Sequence, residues 1–137
     1  MVRRTLTGTL LVVLILVNTA FGSGAELGKV EMYLSQGHPD KALLYLDNII
    51  AAEPDRVDAY SSRAFVSLKL GRHQQAINDF SRVITLQPKD PSAYLSRGMV
   101  YDQLDNQERA TSDFQRACNL GDKAGCGFLE QLNYRKK

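Results

Sequence analysis

From residue 57 onwards the apolar positions fall into two alternating kinds of run. In the first, Tyr60, Ala64, Ser67 and Leu68 recur at helical spacing, and Gly71 stops the run as a C-terminal glycine should. In the second, Ala76, Ile77, Phe80, Val83 and Ile84 recur in the same way before Pro88. Proline cannot continue a helix and biases its predecessor away from one, so the run ends there. Together the runs predict two antiparallel helices joined by a tight turn. The pair then repeats: Asp58-Ala59-Tyr60-Ser61-Ser62-Arg63-Ala64 superimposes without a gap on Ser92-Ala93-Tyr94-Leu95-Ser96-Arg97-Gly98. Downstream at the same offset, Leu70 matches Leu104, Ala76 matches Ala110, Asp79-Phe80 matches Asp113-Phe114, and Leu86 matches Leu120.

A backward shift by the same offset recovers a weaker copy, with Gly37 under Gly71, Ala42 under Ala76, Leu46 under Phe80, Ile49 under Val83 and Pro54 under Pro88. The pattern predicts an all-α chain of three helical hairpins, about 23–56, 57–90 and 91–122. A closing helix follows at about 124–134, with Phe128, Leu129 and Leu132 on one side. One hairpin cannot bury its apolar face alone, whereas stacked hairpins can, and an end cap must cover the last face. Ala64, Ala76, Gly98 and Ala110 leave room for Tyr60, Phe80, Tyr94 and Phe114, the small-against-large alternation that close helix approach requires. Tyr94 is expected among the buried aromatics, whose truncation costs about 3–5 kcal/mol. Asp90-Pro91 supplies a helix cap followed by proline in the first turn, and His38-Pro39 places proline similarly.

Residues 1–25 stand outside this pattern. Arg3-Arg4, an unbroken apolar run of eight from Leu10 to Val17, and small residues through Ala25 have the anatomy of a secretory signal. A spanning helix would need about 20 apolar residues. Cleavage after Gly22 or Ala25 would export the rest; left uncleaved, Leu6 to Phe21 would anchor the chain to the membrane. Either way the mature part is expected to face an oxidising compartment, periplasmic or secreted.

The family resemblance follows from the repeat. Tyr60, Ala64, Leu70-Gly71, Ala76, Phe80, Val83, Leu86 and Pro88 resemble the tetratricopeptide repeat (TPR), whose period and helix-turn-helix unit match. The outer copies depart from it. Glu26 stands where Tyr60 and Tyr94 do, Asp105-Asn106 replaces the turn glycine, and Gly121-Asp122 replaces the proline. The resemblance implies a right-handed TPR-type superhelix in which the first helix of each hairpin lines a concave groove for peptide segments. By position that groove would contain Leu27, Glu31, Leu34, Asp58, Ser61, Phe65, Leu68, Lys69, Leu95, Met99, Asp102 and Gln103. Phe65, Leu68, Leu95 and Met99 are apolar beyond what the hairpin seams require, as a peptide groove rimmed by polar groups would be. The competing reading packs Phe65 and Met99 against the next repeat. Relatives that bind C-terminal chaperone tails use Lys, Arg and Asn where this chain has Leu27, Glu31, Ser62 and Ser96, which disfavours that partner class.

A second resemblance covers only the end. Ala117-Cys118-Asn119-Leu120-Gly121-Asp122-Lys123-Ala124-Gly125-Cys126 is similar to cysteine-rich short-repeat solenoids of secreted bacterial proteins, in which a disulfide ties one helix's end to the next helix's start. Two antiparallel helices joined by a short turn can supply the Cα separation a disulfide wants, and export favours pairing. A Cys118–Cys126 bond would stabilise the terminal hairpin by about 2–3 kcal/mol. The alternative is two small buried hydrophobes.

Charge and chemistry then narrow the function. The chain has 17 Lys and Arg against 15 Asp and Glu; without Arg3 and Arg4 the balance is neutral, so no basic footprint for nucleic acid is expected. The local excess Arg135-Lys136-Lys137 reads as a solvated tail. With no Trp, two His and two Cys, neither a metal nor a cofactor is expected. Arg63 and Asp79 have the same spacing as Arg97 and Asp113, and both pairs are expected to form structural ion pairs within their repeats. His38 and His73 fall in the turns without a partner at ligand spacing, and no serine sits in a Gly-x-Ser-x-Gly elbow. The expectation is a non-catalytic module that binds another protein or peptide segment, an adaptor or assembly factor in the cell envelope. The alternatives are a small secreted hydrolase or ligand-binding protein of the cysteine-rich solenoid type, or a self-associating structural subunit.

Overall fold

The computed structural model describes residues 26–135; the segment read as an export signal lies outside them, as do Lys136 and Lys137. The described residues form seven α-helices and no strand: α1 (26–35), α2 (Pro39–Ala52), α3 (Val57–Lys69), α4 (His73–Leu86), α5 (Pro91–Gln103), α6 (Gln107–Asn119) and α7 (Lys123–Arg135). None of these is long and apolar enough to cross a membrane. Each packs against the helices next to it in sequence, so the hairpins α1–α2, α3–α4 and α5–α6 stack in order with α7 closing the end.

Small residues sit at the close approaches. A Cβ on Gly98 would stand 2.8 and 2.9 Å from two ring carbons of Phe114, so α5 lies against that ring because position 98 carries no side chain. Ala64, Ala76 and Ala110 are fully buried beside Phe80 and Phe114, and with Ile77, Val100, Tyr101 and Leu132 they form one core from the second hairpin to α7. Val30, Ala42, Leu43, Leu46, Ile49, Ala59 and Val66 form a second core joining the first two hairpins. Tyr94 departs from the expectation of burial. It is only half-buried, with its hydroxyl donating to the Pro88 carbonyl (3.2 Å) and the Arg116 guanidinium over its ring. Tyr60, its counterpart one repeat earlier, is the more buried of the two at 9% exposed.

The turn inside each hairpin needs a left-handed residue. Gly37 (φ +74°), Gly71 (φ +69°) and Asp105 (φ +55°) provide it at the same place in each repeat. Asp105 keeps the backbone of its glycine counterparts although its Cβ is disfavoured there. Asp105→Gly should therefore raise stability by about 0.5 kcal/mol, the relief of strain slightly exceeding the added freedom of the unfolded chain. A thermal melt should show a Tm increase of about 2–4 °C, and a decrease would refute the strain.

Two bidentate ion pairs recur in register. Arg63 donates to Asp79 through Nε (2.9 Å) and Nη2 (2.6 Å), and Arg97 donates to Asp113 through Nε and Nη2 (both 2.8 Å). Hydrogen bonding to Asp79 and to Asp113 is the main reason both guanidinium pKa values lie above the ordinary arginine value. At the far end, Asp122 caps α7 by accepting from the Gly125 N–H (2.9 Å). There the Sγ atoms of Cys118 and Cys126 stand at bonding distance, with Cα atoms 4.6 Å apart.

Candidate functional site

Two helix faces meet at the amino-terminal end of the stack. Leu27, Val30, Glu31 and Leu34 lie at i, i+3, i+4 and i+7 on α1, and Ser62, Phe65, Val66 and Lys69 repeat that spacing on α3. Between them is a cavity of about 170 Å³ lined by these eight residues. Val30 and Val66 are buried at 4% and 2% exposure and floor it, while Leu27 and Leu34 are half-buried beside them. Phe65 is 53% exposed, yet its ring meets the buried Phe80 edge-on with centroids 5.4 Å apart. An aromatic edge contact of this kind orients the side chain while leaving one face open. Glu31 on α1 and Lys69 on α3 are exposed and give the cavity one charge of each sign.

Arg56 ties α1 to α3. Its guanidinium reaches Glu26 at the start of α1, Glu53 after α2 and Asp58 in the first turn of α3. Burial works against its charge, but hydrogen bonds to Glu26 and Asp58 outweigh that and hold its pKa above the usual arginine value.

Of the twelve groove residues expected from the sequence, the structure brings Leu27, Glu31, Leu34, Phe65 and Lys69 around this cavity. Val30, Ser62 and Val66 join them; their place on the same helical faces was the signal that would have found them. Asp58 is engaged by Arg56 Nε (3.0 Å), and the Ser61 hydroxyl donates to the Val57 carbonyl (3.1 Å). Leu68 and Leu95 are half-buried against the central core, whereas Met99 is 41% exposed on α5. Gln103 is exposed at the end of α5 and Asp102 is half-buried beside it. His38 precedes α2 as expected, but His73 opens α4 rather than lying in the turn, and its buried Nδ1 has no partner among the described residues. No group of three or more potential metal ligands occurs among the described residues.

Stacked helical hairpins, each burying its apolar faces against its neighbours, define a helical-repeat protein. Two tetratricopeptide repeat family models match the chain, over residues 31–93 and 63–125, and the chain belongs to the tetratricopeptide-repeat family. No curated protein matches it by sequence. Among solved structures it is similar to PcrH in complex with the chaperone-binding region of PopD, with a TM-score of 0.75 and 16% identity over 85% of this chain and 94% of that one. It is similar also to the first TPR of Spaghetti (RPAP3) bound to an HSP90 peptide, SRMEEVD, at TM-score 0.71 and 22% identity over 81% and 90% of the two chains. The Arabidopsis OM64 TPR domain matches with TM-score 0.71 and 24% identity over 82% and 95%.

Proposed function

We propose that this protein is a non-catalytic interaction module that holds a segment of another protein along the exposed row of α1, α3 and α5, with an apolar side chain of that segment seated between α1 and α3. The cavity beside Phe65 carries the reading. A half-exposed aromatic, braced from behind by Phe80 and set among Leu27, Leu34, Val30 and Val66, stabilises an inserted apolar group by burial. The neighbours support the reading, since the solved RPAP3 and PcrH structures each hold a segment of another protein. The charge pattern selects among segments. Glu31 opposite Lys69 leaves no net positive charge, so an apolar-anchored segment suits this cavity better than an acidic tail such as SRMEEVD.

The finer assignment is an exported adaptor or assembly factor of the cell envelope. Its support is the signal-like residues 1–25 and a cysteine pair at bonding distance, which persists as a disulfide in oxidising compartments. The test is selection of peptides from a displayed library on the full chain, followed by affinity measurement on Phe65→Ala. Selected peptides should share an apolar anchor, and Phe65→Ala should weaken them by about tenfold or more with unchanged helical circular dichroism. Peptides without such an anchor, or unaltered affinity in the variant, would exclude this cavity as the site.

A further inference from the structure

Each of the two arginines in the hairpin seams also reaches back to the preceding hairpin, and there the repeats differ. Arg63 of α3 donates through Nη1 to Asp47 of α2 at 2.7 Å. Two more pairs join the same hairpins, Arg72 with Asp40 and Arg82 with Asp55. The furrow between α2 and α4 is thus bridged by three of the chain's own carboxylates. At the equivalent positions one repeat later, Asp47, Asp40 and Asp55 become Ser81, Gln74 and Lys89. The cations persist as Arg97 and Arg116, Asn106 replaces Arg72, and Arg109 is added where the earlier copy has Gln75. Arg97 Nη1 now donates to the Ser81 hydroxyl (2.9 Å), which itself donates to the Ile77 carbonyl (2.6 Å).

There lies a polar cavity of about 240 Å³ lined by Arg97, Tyr101, Arg109, Ser112 and Asp113, to which the preceding hairpin offers Ser81, Gln74 and Lys89 where the earlier seam has three carboxylates. Asp113 is the acid in that lining, and both its oxygens are taken by Arg97. Arg97 retains one further N–H on each Nη nitrogen. Arg109 lies over the Tyr101 ring at 5.5 Å and Arg116 over the Tyr94 ring at 5.8 Å, and neither has an ion pair among the described residues. Both guanidinium groups are stacked on tyrosines, which orders them before any ligand arrives.

We propose that the furrow between α4 and α6 is a second binding site, which takes the carboxylates of an acidic peptide segment. The template is internal: Asp47 on Arg63 shows a carboxylate completing the same seam one repeat earlier. Arg109 and Arg116 lie two turns apart on α6, about 10 Å at the helical rise. That is about the span between residues i and i+3 of a polyproline II segment, which share a face at three residues per turn, so acids three positions apart match the two guanidinium groups.

The experiment is fluorescence anisotropy of labelled hexaglutamate with the full chain at low salt. Arg109→Gln combined with Arg116→Gln should weaken binding by about tenfold. Ser81→Asp, which restores to Arg97 the second carboxylate that Arg63 has, should weaken it by about fivefold or more by filling the site from within. Lys41→Gln, which removes an exposed cation on α2, should change it by less than about twofold. Should Ser81→Asp fail to fold, the arginine pair decides alone. Absence of binding by the unaltered chain, or equal weakening by Lys41→Gln, overturns the proposal. Displacement of hexaglutamate by lower concentrations of inorganic tripolyphosphate overturns the carboxylate assignment.

Discussion

Phe114→Ala should destabilise the protein by about 3–5 kcal/mol, the range for a fully buried aromatic. Its ring is 1% exposed and holds three helices together. It belongs to α6, lies against Gly98 of α5, and stacks on Phe128 of α7 with centroids 5.2 Å apart at 19°. Removing it opens a cavity that none of these helices can refill, because Gly98 offers no side chain and the Cys118–Cys126 contact restrains α7. A domain of this size has only about 5–15 kcal/mol in total. In a urea melt followed by circular dichroism the midpoint should fall by about a fifth or more. A loss below about 1 kcal/mol would mean that α7 is not seated on that ring.

Arg97→Met should cost about 3 kcal/mol for a different reason. Asp113 is 5% exposed and is served by two N–H groups of Arg97. Without them a carboxylate is left buried and unpaired, and its desolvation is no longer offset. Arg97→Met together with Asp113→Leu should recover most of the loss, since replacing both members of a buried pair by apolar groups is often neutral. The double-mutant cycle measured by denaturant melts provides the check; additive losses would show that the two side chains act independently. By contrast Arg72 and Asp40, 48% and 75% exposed, form a pair worth less than about 1 kcal/mol.

Much of this architecture was legible in the residues. Helical spacing, the turn glycines and the prolines locate the hairpins, and the recurring Arg-to-Asp spacing locates both ion pairs. Positions that depend on local backbone chemistry are readable in this way, because the same turn demands the same backbone conformation each time it recurs, which Gly37 and Gly71 meet and Asp105 meets in the third hairpin. The end of the chain was less legible. Gly121-Asp122 stands where Pro54 and Pro88 mark the joints between hairpins, with the closing helix expected beyond it. The turn there instead repeats the hydrogen bonds of the turn inside a hairpin: the Leu120, Gly121 and Asp122 N–H groups bond as those of Leu70, Gly71 and Arg72 do. The α6–α7 unit is therefore a fourth tight hairpin, and Gly125 shows how tight. A Cβ there would come within 2.8 Å of Ala117 Cβ and 3.1 Å of the Cys118 nitrogen.

The groove divides along the same line. Leu27, Glu31, Leu34, Phe65 and Lys69 could be named from helix faces, but whether an apolar residue at such a position is covered depends on its neighbours across the seam. Phe65 stays half open although its ring meets that of Phe80, whereas Leu68 and Leu95 on the same helix rows turn into the core. The amino-acid order by itself determined the helices, their pairing and the family, since these follow from short-range spacing and from repetition. Only the tertiary structure decided which apolar side chains remain uncovered and which seams are bridged by the chain's own carboxylates. Burial and ion pairing are set by residues brought together from separate hairpins, and no local pattern encodes those distances.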